Sequence, residues 1–148
     1  MSNYSDLLQA IKLRVCQNNN IPIPSLTGSG SYQARQVWNR IAQIFTLECI
    51  LAAHRNEYGS VFVPLENEKA LHHIIFLKTK WNLAEIRTLS LNDSLFIIAE
   101  MFRSDAIPPD AKVFMESVRI PEPIAYPLED FSDEDWDPKG NSVFLQSH

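Results

Sequence analysis

Two pairs of side chains have types and spacings that could hold a metal ion. His54 and Glu57 lie three apart, and Glu68 and His72 lie four apart, so each pair would share one face of a helix. Two such helices side by side could aim imidazole and carboxylate donors at one point, as carboxylate-bridged di-metal bundles do. Those bundles use Glu-x-x-His motifs plus glutamates from two further helices, and this chain contains no Glu-x-x-His. A metal protein or small helical enzyme built on His54, Glu57, Glu68 and His72 is therefore the rival expectation. The leading one treats these residues and His73 as surface or hydrogen-bonded groups, with no cofactor.

Other chemical signatures are thin. There is no Gly-x-Ser-x-Gly, no His-Glu-x-x-His and no phosphate-cradling loop. Gly28-Ser29-Gly30 lacks the Lys-Ser/Thr ending of a phosphate loop and reads as a linker. Residues 83–102 pass the first test for a helix-turn-helix, two short helical patterns around a tight connection. They fail the second, because Leu95-Phe96-Ile97-Ile98-Ala99 offers no polar side chains to base edges. Direct nucleic-acid binding is not expected.

Charge is where the sequence says most. Of the 148 residues, 45% are hydrophobic and 21% charged, a globular composition with a formal net charge of -5. Residues 1–118 carry eleven bases and eleven acids, so the whole -5 falls on residues 119–148. There Arg119 and Lys139 face Glu122, Glu129, Asp130, Asp133, Glu134, Asp135 and Asp137. Pro121, Pro123, Pro127 and Pro138 bar one continuous helix through this stretch. Tyr126, Leu128, Phe131 and Trp136 are interleaved with the acids, and a purely solubilising tail would not need them. Such aromatics either pack back on the domain or anchor in a partner whose basic surface meets the acids.

These groups need elements to position them. Tyr4, Leu7, Leu8, Ile11 and Val15 recur at helical spacing, predicting a helix over residues 5–17. A loop rich in Asn, Pro and Gly follows. Val37, Ile41, Ile44, Phe45, Glu48, Leu51 and Ala52, broadened by Trp38, Leu47 and Ile50, predict a central helix over residues 33–58, closed by Gly59 in a left-handed conformation. Ser60-Val61-Phe62-Val63 and Ser142-Val143-Phe144-Leu145 read as extended segments that could pair as a small ribbon. Further helices are predicted over residues 66–80, 81–89, 93–103 and about 108–118, the third with a capping signal at Ser90 and Asp93.

Cys16 and Cys49 are far apart and outside any Cys-x-x-Cys pattern, which suggests buried free thiols in a reducing compartment. Met1 to Asp6 lacks a signal-peptide pattern, and residues 37–53 are too short and too interrupted to span a bilayer. A cytoplasmic location without membrane contact is the expectation. The expected fold is mainly α: one compact helical domain of about five to six helices over residues 1–118, with a minor two-stranded β ribbon as an option, and an extended acidic C-terminal segment over residues 119–148.

The expected function is non-enzymatic binding of a basic protein partner, in the physical manner of inhibitors such as immunity proteins and antitoxins, or of chaperones and adaptors. The expected contact residues are Tyr126, Leu128, Glu129, Asp130, Phe131, Asp133, Glu134, Asp135, Trp136 and Asp137. An oligomeric structural subunit is the third class, with the oligomeric state left open.

Overall fold

Two helices, α1 (Tyr4–Asn18) and α2 (Tyr32–Tyr58), lie against each other at the centre, and most other elements contact one or both. The computed structural model describes residues 3–26, 32–103, 106–121 and 131–145. The apolar stripe expected for α1 is fully realised: Tyr4, Leu7, Leu8, Ile11 and Val15 are all buried. Every residue of α2 from Arg40 to Leu51 is buried, so its middle is covered on all sides. That covering encloses Arg40, Gln43, Thr46 and Glu48, four polar residues on a core helix. Tyr4 meets Phe45 edge-on at 6.0 Å between ring centroids, and Phe114 lies 5.6 Å from Phe45.

Beyond α2 come α3 (Lys69–Thr79), α4 (Leu83–Arg87), α5 (Leu91–Ile97), a 3-10 turn at Ala99–Arg103 and α6 (Pro109–Ser117). Their boundaries follow from local chemistry. Asn82 accepts from the Ala84 amide at 2.7 Å to start α4, and the Ser90 hydroxyl accepts from the Asp93 amide at 3.1 Å to start α5. Pro109 occupies the first turn of α6, where no amide hydrogen is needed. The helix expected from residue 66 begins only at Lys69, because 66–68 form a turn with Asn67 in the left-handed region.

Seven α-helices and no strand are present among the described residues. The optional ribbon does not form among the described residues. Residues 60–63 make a turn, Ser142 ends α7 (Pro138–Ser142), and Val143–Leu145 is a 3-10 turn. The cause is Asp137-Pro138: the carboxylate accepts from the Gly140 amide at 3.2 Å and proline supplies the first turn, so the chain coils where an extended segment was expected. Gly59 ends α2 differently from expectation as well. Its φ is not left-handed; a Cβ there would sit 2.6 Å from the Arg55 carbonyl oxygen, so glycine is required for close approach.

Residues 131–145 pack on α1 and α2. Phe131 joins the core, and Trp136, Phe144 and Leu145 lie against it. Cys16 and Cys49 are buried free thiols. No helix among the described residues is long and apolar enough to cross a membrane.

Candidate functional site

Two of the buried polar residues of α2, Arg40 and Glu48, are met by the acidic C-terminal segment. Arg40 Nε donates to Asp135 Oδ2 at 3.0 Å, and both side chains are fully buried. The remaining guanidinium donors reach Gln43 at 3.1 Å, Asn92 at 3.0 Å and the Ser132 carbonyl at 3.0 Å. Burial pulls the Arg40 pKa down, opposed by its hydrogen bond to Asp135 and the charges of Asp135 and Asp133. Asp135 Oδ1 takes two further donors, the Asn18 and Asn19 amides at 2.7 and 2.8 Å. A buried ion pair keeps its charge only when its hydrogen bonds are met in this way.

About two turns further along α2, Trp136 Nε1 donates to Glu48 Oε2 at 2.8 Å. Burial pushes the Glu48 carboxyl up to about 7, opposed by the Trp136 indole and the Asn141 side chain. Phe131 is buried, with the Arg40 guanidinium 5.7 Å from its ring centroid. Asp133 accepts from the Leu91 amide at 3.0 Å and so caps α5 from a distance. Asp137 caps α7. Glu134 is exposed; hydrogen bonds from Ser132 and from its own amide hold its carboxyl below the usual range.

Of the expected contact residues, Phe131, Asp135 and Trp136 are thus turned into the fold. Asp133 and Glu134 face solvent. Tyr126, Leu128, Glu129 and Asp130 lie outside the described residues.

The histidines pair in another combination than the helix spacings suggest. His54 Nε2 lies 2.7 Å from His73 Nδ1, and the His54 ring sits 4.5 Å from that of Tyr58. Burial, then the charges of His73 and Arg55, push His54 down to about 4, so it is neutral at pH 7. Glu57 is exposed, and Glu68 acts on His72. His54, Glu57, Glu68 and His72 do not converge: among the described residues no group of three potential ligands is placed to hold a metal.

The feature that sequence patterning misplaced is the apex after α2. The Ser60 amide donates to the Val63 carbonyl at 2.9 Å, and the Val63 amide donates back to the Ser60 hydroxyl at 3.1 Å. Between them, Val61 and Phe62 are each 93% exposed. The base of this turn is clamped, since Arg55 donates to the Leu65 carbonyl at 2.9 Å and to the Asn67 carbonyl at 2.8 Å. Leu65 is buried and held at φ 57°, a conformation costly for leucine that persists only when its surroundings fix it. Glu57, Glu66 and Glu68 are exposed on either side of the apex in sequence, with Lys69 following. The run Val-Phe-Val carried the signal, but β-branched and aromatic residues fit a strand as well as an exposed knob.

No family model, curated protein or solved structure matches this chain.

Proposed function

We propose that this protein is a non-enzymatic binding module whose partner offers an apolar pocket with a basic rim. The observation that supports it is the Val61-Phe62 apex. Folding does not account for two large apolar side chains left almost wholly in water on a turn whose backbone is locked at both ends. Aromatic groups presented on a rigid support make efficient anchors, because little conformational entropy is lost when they bind. Glu57, Glu66 and Glu68, which flank the apex in sequence, and the exposed Asp133 and Glu134 favour a basic partner.

The acidic C-terminal segment has a double part in this reading. Asp135 and Trp136 hold the fold, while Asp133 and Glu134 add to its negative field. Deleting everything after Val118 would therefore strip Arg40 and Glu48 of their partners and confuse binding with folding.

A cleaner test places a photo-crosslinking residue at Val61 in the native host, identifies what it captures, and measures binding of the purified pair. The expected result is a basic protein bound by the wild type and weakened by Phe62→Ser by at least about 2 kcal/mol, the loss typical of a central anchor. Glu66→Lys should slow association, most visibly at low salt. Equal affinity of wild type and Phe62→Ser for that partner would refute the proposal.

A further inference from the structure

A cleft of about 340 Å³ lies between α3 and α4, lined by Leu65, Lys69, His72, His73, Phe76, Leu83 and Arg87. Its size is at the small end of ligand sites, which span about 300 to 1,000 Å³. Leu65, Phe76 and Leu83 give it apolar walls, and Leu83 is 44% exposed. The charged groups on its lining are both cations. Among the described residues, the ion pairs formed are Arg40 with Asp135 and Lys78 with Glu100, so neither Lys69 nor Arg87 has a carboxylate within pairing distance. Lys80, outside the lining, holds its ammonium 5.6 Å from the Phe76 ring centroid.

The imidazoles supply hydrogen-bonding capacity. His73 has Nδ1 committed to His54, which leaves Nε2 for another partner. Burial lowers the His72 pKa, opposed by the Glu68 charge and reinforced by Arg87. The cleft thus combines two cations with apolar walls. A cationic ligand would meet Lys69 and Arg87, and a highly charged phosphate ester would find too much apolar wall.

We propose that this cleft binds a small organic monoanion with an apolar body, an aryl or medium-chain alkyl carboxylate. The carboxylate sits between Lys69 and Arg87, and the body rests on Leu65, Phe76 and Leu83. Arg87 offers a planar fork suited to two parallel hydrogen bonds with a carboxylate, and Lys69 a point charge. This site is separate from the apex and does not depend on the partner proposed for it.

The test is a chemical-shift titration of the full chain with octanoate, octanol, octylammonium and acetate, repeated on Lys69→Glu/Arg87→Glu. Both substituted residues are exposed, so the fold is retained and circular dichroism checks it. Octanoate should shift the amides around residues 69, 72, 73, 76, 83 and 87. Octanol and the double variant with octanoate should bind at least about tenfold more weakly, the worth of one charge-assisted hydrogen bond. Acetate and octylammonium should produce no comparable shifts. Octanol binding as tightly as octanoate, shifts centred elsewhere, or no response to millimolar octanoate would each overturn the assignment.

Discussion

Glu48 makes a quantitative prediction because its carboxyl is buried, close to the centre of α2 and paired with one strong donor. Burial moves it from an ordinary 4.5 to about 7 in the folded protein. Below pH 4.5 both states hold the proton and Glu48 contributes no pH dependence. From there upward the unfolded chain releases a proton that the folded chain retains, so stability falls by about 1.4 kcal/mol per pH unit. The fall ends near pH 7, where the folded carboxyl also ionises, and the accumulated cost is about 3 kcal/mol. Glu48→Gln keeps the shape and an acceptor for Trp136 but cannot ionise. Its stability relative to wild type should therefore rise by about 3 kcal/mol between pH 4.5 and pH 8. Urea unfolding followed by far-ultraviolet circular dichroism at matched ionic strength measures this directly, and avoids tryptophan fluorescence that reports the same contact. The difference between the proteins is the quantity to read, since His54 contributes an opposite slope over part of the range. A difference that stays flat from pH 4.5 to pH 8 would refute the reasoning.

Asp135→Ala should cost about 3 to 5 kcal/mol in the same unfolding assay, because it leaves the Arg40 guanidinium buried without its counter-charge. Asp135→Leu combined with Arg40→Met should recover much of that loss, as apolar replacement of a whole buried pair often does. Gly59→Ala should cost about 1 to 3 kcal/mol, since the new Cβ meets two backbone carbonyl oxygens that cannot move independently. Because His54 is held down at about 4 from an ordinary 6.5, its stabilising contribution is present above pH 6.5 and is lost as pH falls toward 4. A His54→Asn variant should lose less stability than wild type over that interval.

The legible part of the fold is where the core is built from local periodicity. Leu7, Leu8, Ile11 and Val15 define α1, and Ser90 with Asp93 marks the start of α5; each signal lies within one or two turns of what it specifies. Arg40 and Glu48 show where that logic stops. Inside an otherwise apolar helix they read as interruptions of a buried face, yet both are buried because Asp135 and Trp136, 95 and 88 residues away, meet them. Periodicity detects faces, and it carries no information on a partner so distant in sequence. The aromatic spacing of the C-terminal segment did allow packing back on the domain, and Phe131 and Trp136 follow it. Asp137-Pro138 starts a helix through purely local chemistry, and that chemistry prevails over the strand-like Val143-Phe144-Leu145 run. His54 and His73 were missed as a pair because their contact joins two helices, whereas the spacings compared were within single ones.

The placement of the acids separates their structural work from their long-range effect. Asp135 is neutralised by Arg40 inside the fold, and Asp133 and Asp137 each also satisfy a backbone amide at a helix start. The Arg40–Asp135 pair is fully buried, so salt screens it much less than it screens surface charges. The field outside the protein comes from exposed carboxylates such as Glu57, Glu66, Glu68, Asp133 and Glu134, and at physiological ionic strength it fades over about 8 Å. A field of that reach guides encounter without fixing orientation. Orientation needs a contact that keeps its shape as water leaves, and the clamped Val61-Phe62 turn has that property: its backbone is set by Arg55, Ser60 and Leu65 before any partner arrives.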